Sequence, residues 1–224
     1  MGPQQFERQF DVSRETITRL LAYQALLGKW QQKINLVGPA TLAQFWQRHV
    51  LDSAQLLALA GTQRRIWLDL GSGGGFPGLV LAIMLADSPE NASPDTSHVH
   101  LVESDRRKSA FLQAVIRETG ISASVHNCRI EALAAENPAF LAGIQAISAR
   151  ALADLPHLLD LIVPFFNSST IALLHKGRDW QDELTRAEKI WDIEVSTYIS
   201  QTDETARIVQ IDRLAKRVAG QANA

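Results

Sequence analysis

The sequence predicts an α/β fold in which a doubly wound, mostly parallel sheet follows a small helical N-terminal cap. Three observations lead to this prediction. From residue 65 onward, short apolar runs typical of strands alternate with stretches of helical periodicity, which indicates parallel strands joined by helical crossovers. No strand pattern occurs before Arg65. A cluster of glycines directly follows the first apolar run, as in the nucleotide-binding loops of such sheets.

The cap is predicted from residues 13–61, which have the pattern of two helices. Ser13 suits the N-cap of the first helix, and an apolar stripe begins at Ile17. Residues 35–39 interrupt the pattern, and the second helix then places its apolar residues on one face. We therefore expect a helical cap over residues 1–62 and a cofactor-binding domain over residues 63–224, packed together as one compact unit.

Seven strands and five helices are predicted after the cap. Only residues 201–205 separate the last two strands, which predicts an antiparallel hairpin at the edge of the sheet. The predicted strands span residues 65–70, 99–103, 123–128, 144–150, 169–175, 192–199 and 206–212, and the predicted helices span residues 77–86, 105–119, 131–136, 154–165 and 180–190.

The composition is that of a globular protein from a reducing compartment. The chain has 224 residues, 46% of them hydrophobic, enough for one domain with a packed core. Cys128 is the single cysteine, so an internal disulfide is excluded. No apolar run approaches the ~20 residues of a membrane helix. The net charge of −2 argues against extensive wrapping of nucleic acid and leaves room for a local basic face. We expect a cytoplasmic protein with no membrane partner.

The segment from Trp67 to Gly78 carries the most specific signal in the chain. An apolar strand ends at Gly71, further glycines follow, and a helix opens near Pro77. Glycine allows unusual backbone angles and lets a ligand approach the main chain closely. The unpaired amides at the start of a helix favour polar or anionic groups. The segment therefore predicts a loop that binds a nucleotide-type cofactor.

Two cofactor classes fit this loop. The glycines of residues 73–78 match G-x-G-x-x-G, the dinucleotide fingerprint. Those of residues 71–75 match G-x-G-x-G directly after the strand, the register seen in S-adenosylmethionine-dependent methyltransferases. The second register is favoured because Gly71 ends the strand. The next strand-ending acid is Glu103, but the polar insert of residues 87–98 prevents a decision from spacing alone.

Residues that could bind a ligand follow five of the predicted strands. Ligands of doubly wound sheets bind outside the carboxyl ends of the strands. We therefore expect one functional cleft, lined by Gly71, Glu103, Arg129 to Glu131, Arg150 and Lys176.

Several blocks together resemble one family, the bacterial small-subunit (16S) ribosomal RNA guanine-N7 methyltransferases, also called the glucose-inhibited division protein B family. The resemblance extends from about Trp30 to Lys176. It is specific because the glycine loop with its Phe-Pro-Gly ending is combined with an upstream Arg-His-x-x-Asp-Ser helix. The matching blocks are Asn35-Leu36-Val37, Arg48 to Ser53, Asp69 to Gly78, Lys108 to Leu112, Arg129-Ile130-Glu131 and Ala149-Arg150-Ala151.

The resemblance implies a Rossmann-like class I methyltransferase that uses S-adenosyl-L-methionine and acts on 16S ribosomal RNA or the small ribosomal subunit. Glu103 would accept hydrogen bonds from both ribose hydroxyls of the cofactor. Arg150 would have a positioning role, holding the cofactor carboxylate, an RNA phosphate or the guanine O6, and these alternatives stay open. The expected cofactor contacts are Gly71, Gly73, Phe76, Glu103, Ile130, Glu131 and Arg150.

Five residues are weaker candidates for RNA contacts. His49 lies on the apolar face of its helix, where a buried structural histidine is the commoner case. Arg48 and Asp52, four residues apart, also fit a simple exposed ion pair. Basic residues near strand ends could hold phosphates but are equally typical of a solvated surface. The five candidates are Arg48, His49, Arg106, Lys108 and Lys176.

The chemistry implied by the resemblance requires positioning more than acid–base catalysis. Guanine N7 has an in-plane lone pair and no proton, so an in-line methyl transfer needs no general base. No Ser/His/Asp or metal-ligand spacing stands out, and we expect no metal and a monomer. Methylation of a small molecule is the main alternative, because its cofactor half would be identical. A nicotinamide-dependent oxidoreductase and a non-catalytic RNA-binding module are further alternatives.

Overall fold

The structure, a computed structural model, describes residues 1–61, 64–86, 97–136, 140 and 143–217. These residues form a seven-stranded sheet in the order β3-β2-β1-β4-β5-β7-β6. The first five strands of this order are parallel, and β7 runs antiparallel to both of its neighbours. The predicted doubly wound α/β class is therefore confirmed. The insert of residues 87–98 lies almost wholly outside the described residues.

All seven predicted strands are present, and the two edge strands form the predicted antiparallel hairpin. The last strand is longer than predicted at both ends, so that only residues 201–202 form the turn of the hairpin. The strands are β1 (Ile66–Leu70), β2 (His98–Val102), β3 (Ala123–His126), β4 (Ala146–Arg150), β5 (Ile171–Lys176), β6 (Trp191–Ser200) and β7 (Asp203–Lys216).

The five predicted crossover and edge helices are also present. One of them ends earlier than predicted and continues as a 3₁₀ turn, Val163–Phe165, because Pro164 has no amide hydrogen for the next α-helical hydrogen bond. Their numbers follow those of the four N-terminal helices described in the next paragraph. The five helices are α5 (Gly78–Leu85), α6 (Arg106–Thr119), α7 (Ile130–Glu136), α8 (Leu155–Ile162) and α9 (Trp180–Glu188).

The N-terminal region is helical, as predicted, but it is divided differently. Ser13 is the expected N-cap, since its hydroxyl accepts hydrogen bonds from the amides of Glu15 and Thr16 at 3.1 and 3.2 Å. The prediction that one continuous helix follows α2 is wrong. A short helix and a π-helical segment, Phe45–Leu51, precede the last helix of this region. The α-helices are α1 (Pro3–Phe10), α2 (Arg14–Gln31), α3 (Pro39–Leu42) and α4 (Asp52–Ala60).

Two hydrophobic cores lie on opposite faces of the sheet, because successive strand residues point to opposite sides. Trp67 of β1 packs in the core that also contains Phe6 of α1 and Leu20 of α2. Leu68 of β1 packs in the other core, with Leu158 of α8. The N-terminal helices thus cover one face of the sheet. The division of the chain at residue 62 stays a prediction. None of the helices in the described ranges combines the length and apolar character of a membrane span.

Candidate active site

One large cleft lies where the sequence predicts it, at the carboxyl ends of the parallel strands. Its volume is about 1140 Å³. The segments after β1 to β5, part of the N-terminal helical region and the β6–β7 hairpin line it. Exposed Arg106 is not among the lining residues, whereas the other candidates are: Gly71, Gly73, Phe76, Glu103, Ile130, Glu131, Arg150, Arg48, His49, Lys108 and Lys176.

The glycine loop presents bare main chain to the cleft. Gly73 has a φ of +54°, and a Cβ added there would meet no protein atom closer than 3.7 Å, so this position opens onto empty space. Gly75 has a φ of +92°, but a Cβ there would collide with the buried side chain of Leu79 and with the Tyr23 hydroxyl. Gly75 is therefore required by packing, whereas Gly73 leaves room that a ligand can fill.

Glu103, at the end of β2, is held against the glycine loop. Its Oε2 accepts a hydrogen bond from the Gly73 amide at 2.9 Å, and its Oε1 accepts one from the Asp105 amide at 2.8 Å. The side-chain amide of Asn127 supports the turn by donating to the Glu103 carbonyl at 2.9 Å. Each carboxylate oxygen can accept a second hydrogen bond. Glu103 therefore fits a ligand with two neighbouring donors, such as the ribose hydroxyls of S-adenosylmethionine.

Ile130 and Glu131 form the far wall of this half of the cleft, at the first turn of α7. Ile130 is 9% exposed and offers an apolar surface, while Glu131 is exposed. An apolar side chain beside a carboxylate suits a flat ring that carries an amine donor, which describes adenine.

A buried stack of aromatic rings supports the glycine loop. The Phe76 ring lies between those of Tyr23 and His49, with ring centroids 5.1 and 4.5 Å apart. Tyr23 also donates its hydroxyl hydrogen to the Gly74 carbonyl. Burial raises the pKa of Tyr23 well above its usual value, so the hydroxyl stays a donor. Tyr23 was not predicted as part of the site, although its place on the buried side of α2 was an available signal.

Arg150, at the end of β4, is fixed by N-terminal residues. Its Nη1 donates to the Arg48 carbonyl at 3.1 Å and to Asp52 Oδ2 at 3.2 Å, and its Nη2 donates to His49 Nδ1 at 3.0 Å. Its guanidinium lies 5.1 Å from the centroid of the Phe76 ring. These contacts use three of the five N–H groups of an arginine, and among the described residues nothing engages the other two.

Asp52 is the anchor of this arginine and was not predicted as such. Its Oδ1 accepts hydrogen bonds from Thr202 Oγ1 at 2.8 Å, Gln55 Nε2 at 3.0 Å and Ser200 Oγ at 3.3 Å. Burial alone would raise the pKa of Asp52, but His175 and Arg150 together with the Thr202 hydroxyl hold that pKa below its usual value. The turn of the β6–β7 hairpin thus completes the surroundings of an ionised carboxylate.

His49 is buried, which is the commoner case for a histidine on an apolar helix face, and Arg48 pairs with a different residue from the one that helical spacing suggested. His49 is 5% exposed, and burial and the nearby Arg150 charge lower its pKa to about 4. Because arginine only donates, His49 Nδ1 is the acceptor and Nε2–H donates to Thr41 Oγ1 at 3.0 Å. Arg48 does not pair with Asp52; its Nη1 lies 3.7 Å from Asp203 Oδ2 at the cleft rim.

Lys176 is a buried cation and not the surface group that was expected. It is 7% exposed, and its Nζ lies 2.6 Å from Glu183 Oε2 and donates to the Ala153 carbonyl at 2.8 Å. Its charge is already neutralised, so the phosphate contact predicted for it is not supported. Within the described ranges, no group of three or more His, Cys, Asp or Glu residues is placed to hold a metal ion.

The fold of the chain is similar to that of solved structures that contain bound S-adenosylmethionine. Fibrillarin from Aeropyrum pernix with natively bound S-adenosyl-L-methionine superposes with a TM-score of 0.52 at 16% identity, covering 74% of this chain and 76% of that chain. A variant of MtNAS in complex with S-adenosylmethionine gives 0.56 at 12% identity, covering 88% and 76%. At these identities the likeness concerns the fold, and it confirms the predicted class I architecture.

Sequence relatives are much closer. Proteins named Ribosomal RNA small subunit methyltransferase G are 49% identical over 212 residues in Rhodospirillum centenum and 46% identical over 218 residues in Parvibaculum lavamentivorans. These alignments cover 95% and 94% of this chain, and 91% of each relative. The family model described as rRNA small subunit methyltransferase G (GidB) matches residues 16–209. The predicted S-adenosylmethionine-dependent methyltransferase is confirmed, and the chain belongs to the rRNA small subunit methyltransferase G family.

Proposed function

We propose that this enzyme transfers the methyl group of S-adenosylmethionine to N7 of a guanine in 16S ribosomal RNA, either as free RNA or within the small ribosomal subunit. The observation that carries the proposal is the division of the cleft. The glycine loop and Glu103 form one half, and Arg150 and the β6–β7 hairpin border the other. The names of the relatives support small-subunit ribosomal RNA as the substrate of the second half.

We propose that the cofactor half of the cleft binds S-adenosylmethionine through main-chain groups and a few side chains. When bound, S-adenosylmethionine supplies an electrophilic methyl group on a positively charged sulfur. The loop main chain at Gly73 leaves space for the ligand, and Glu103 can accept from the ribose hydroxyls. The proposed contacts are those expected from the sequence: Gly71, Gly73, Phe76, Glu103, Ile130, Glu131 and Arg150.

Among the described residues of the acceptor half, His49 and Asp52 are both engaged, so that neither is free to act as a general base. His49 uses Nδ1 to accept from Arg150 and Nε2–H to donate to Thr41. Asp52 is saturated by donors. Guanine N7 needs no base, because its lone pair forms the N–C bond while the C–S electron pair stays on sulfur. Holding the two reactants in line is then the main contribution of the protein, which can amount to several kcal/mol.

Cations at and beside the cleft are proposed to hold the RNA backbone. Arg48 at the rim and Lys108 in the first turn of α6 line the cleft, and Arg106 lies exposed beside it. Unpaired bases that can be splayed out are the usual targets in RNA, and phosphate contacts make affinity salt-dependent. We further propose that residues 1–62 act as a cap on the catalytic domain of residues 63–224, and that the enzyme acts as a monomer in the cytoplasm.

The proposal is tested by methyl transfer from labelled S-adenosylmethionine to ribosomal RNA and to intact small subunits from cells that lack this activity. Mass spectrometry of the nucleosides should reveal new 7-methylguanosine, which the Gly73→Asp variant should not form. Asp192→Asn, at an exposed ion pair of the hairpin, is the control. Cofactor binding without incorporation into either substrate would overturn the ribosomal assignment and favour a small-molecule acceptor.

A further inference from the structure

Two cations of the cleft wall, Arg150 and Lys176, have little contact with solvent, and each is paired with one carboxylate. Arg150 lies 3.2 Å from Asp52, with side chains 19% and 12% exposed. Lys176 lies 2.6 Å from Glu183, with side chains 6% and 16% exposed. Buried charges are screened weakly and act over longer distances than surface charges. The charge of each of these two cations is therefore largely offset by its own carboxylate.

The Asp52–Arg150 pair is held more rigidly than a simple ion pair requires. Three donors from α4 and the β6–β7 hairpin saturate Asp52 Oδ1, while Oδ2 faces the guanidinium. On the other side, His49 and the Phe76 ring fix the guanidinium. The carboxylate therefore cannot turn away from Arg150 without breaking several hydrogen bonds.

The proposed reaction explains why this offset matters. The methyl donor has a positive sulfur, and the N7-methylated purine has a positive ring. One unit of positive charge is thus present in the cleft before and after transfer. A guanidinium without a counter-charge would oppose both states, because like charges in a poorly solvated site repel strongly.

We infer that Asp52 is a positioning residue that holds Arg150 at the cleft and offsets its charge, so that the site accepts a cationic sulfonium. The inference rests on the proposed placement of the cofactor beside Arg150. It does not depend on the RNA substrate.

The test compares two ligands that differ in this one charge. S-adenosylmethionine has a positive sulfur, whereas S-adenosylhomocysteine has a neutral sulfur and the same adenosine, carboxylate and amine. Calorimetry at pH 8 would give both dissociation constants for Asp52→Asn, which keeps the shape of the side chain. We expect S-adenosylmethionine binding to weaken on the order of tenfold more than S-adenosylhomocysteine binding. Equal weakening of both would mean a structural role only and would overturn the inference.

Arg150→Met provides a second measurement of opposite sign, which keeps the inference testable if Asp52→Asn does not fold. Removal of the guanidinium should favour S-adenosylmethionine over S-adenosylhomocysteine, even if Arg150 contacts the cofactor carboxylate, because both ligands have that carboxylate. The double variant Asp52→Asn/Arg150→Met should restore the wild-type ratio of the two dissociation constants. If this ratio were unchanged in Arg150→Met, the idea that Asp52 offsets the charge of Arg150 would be contradicted.

Two further variants separate geometry and folding from charge. Thr202→Val removes one hydroxyl donor to Asp52 without a change in charge, so it should shift both affinities together. Asp192→Asn, on the exposed Arg213 pair, should leave the ratio unchanged. If wild-type protein bound neither ligand, the proposed function would fail, whereas binding with an insensitive ratio would remove only the role of Asp52.

Discussion

Tyr23 of α2 donates its hydroxyl hydrogen to the carbonyl oxygen of Gly74, and this hydrogen bond ties the N-terminal helices to the glycine loop. Both groups are buried, and the Tyr23 ring also stacks on Phe76. A residue of the cap thus helps to set the shape of a loop more than fifty positions later in the chain.

Tyr23→Phe should therefore loosen the loop without removing the stack. We expect the free energy of unfolding to fall by about 1–2 kcal/mol, because the Gly74 carbonyl is left buried without its donor. Urea denaturation measures this loss, and the affinity for S-adenosylmethionine should fall with it. Tyr198→Phe, at a tyrosine that is 38% exposed, is the matched control. Equal stability of the two variants would show that the hydrogen bond contributes little.

Gly73→Ala should abolish cofactor binding while the protein stays folded. The new Cβ would meet no protein atom closer than 3.7 Å, but it would occupy the open side of the loop. The positive φ should reduce stability by about 1–2 kcal/mol.

Gly120→Ala is a close control for this variant. Gly120 ends α6 with a φ of +63° and has no atom within 4 Å of an added Cβ, so the backbone cost is similar. The midpoint temperature of thermal unfolding should fall by a similar amount in both variants. Only Gly73→Ala should lose S-adenosylmethionine binding in calorimetry. Full binding by Gly73→Ala would show that the ligand lies elsewhere.

Acid should destabilise the protein partly through His49. Its pKa is lowered to about 4 in the fold, against about 6.5 when unfolded, so the unfolded chain binds more protons between these values. The stability contributed by neutral His49 is complete above about pH 6.5 and is lost as the pH falls toward 4. Between pH 7 and 5 the loss should be about 2 kcal/mol.

His49→Gln should remove this part of the pH dependence, because glutamine does not titrate. The free energy of unfolding from urea titrations at pH 5 and 7 measures the difference. The exposed His157→Gln variant should retain the wild-type dependence. Should His49→Gln lose as much stability as wild type, His49 would be protonated in the fold at pH 5.

Glu183→Gln should be strongly destabilising, because it leaves the Lys176 ammonium buried without its counter-charge. Loss of one partner of a buried pair typically costs about 3–5 kcal/mol. The double variant Lys176→Met/Glu183→Gln should regain most of this stability and keep an acceptor for the Leu155 amide. Thermal unfolding of the two variants tests the idea, and a double variant no more stable than the single one would contradict it.

Local patterns predicted the sheet well because strand and crossover signals are contained within short windows. Apolar runs marked most of the strands, and Ser13 marked the start of α2. Helix α1 was missed because most of its residues are polar, with Phe6 as its buried contact. The π-helical segment before α4 has the same residue spacing as an ordinary amphipathic helix, so sequence periodicity does not reveal it.

The site was predicted as a set of positions but not as a network. Strand ends placed Gly71, Glu103 and Arg150 at one edge, because parallel strands share that edge. The partner of Arg150 is Asp52, 98 residues earlier, and the hydroxyl of Thr202 reaches Asp52 across 150 residues. Helical spacing instead suggested an Arg48–Asp52 pair. Contacts of this range depend on how elements pack, which a single sequence does not specify.

The turn of the β6–β7 hairpin has a consequence for the order in which the enzyme is assembled. The chain leaves the ribosome with its N-terminus first, and domains generally fold as units. A chain synthesised only as far as residue 190 already contains the glycine loop, Glu103 and Arg150. It lacks Ser200 and Thr202, the hydroxyl donors of Asp52. A nascent chain therefore has an unfinished cleft, and catalytic competence arrives late in synthesis.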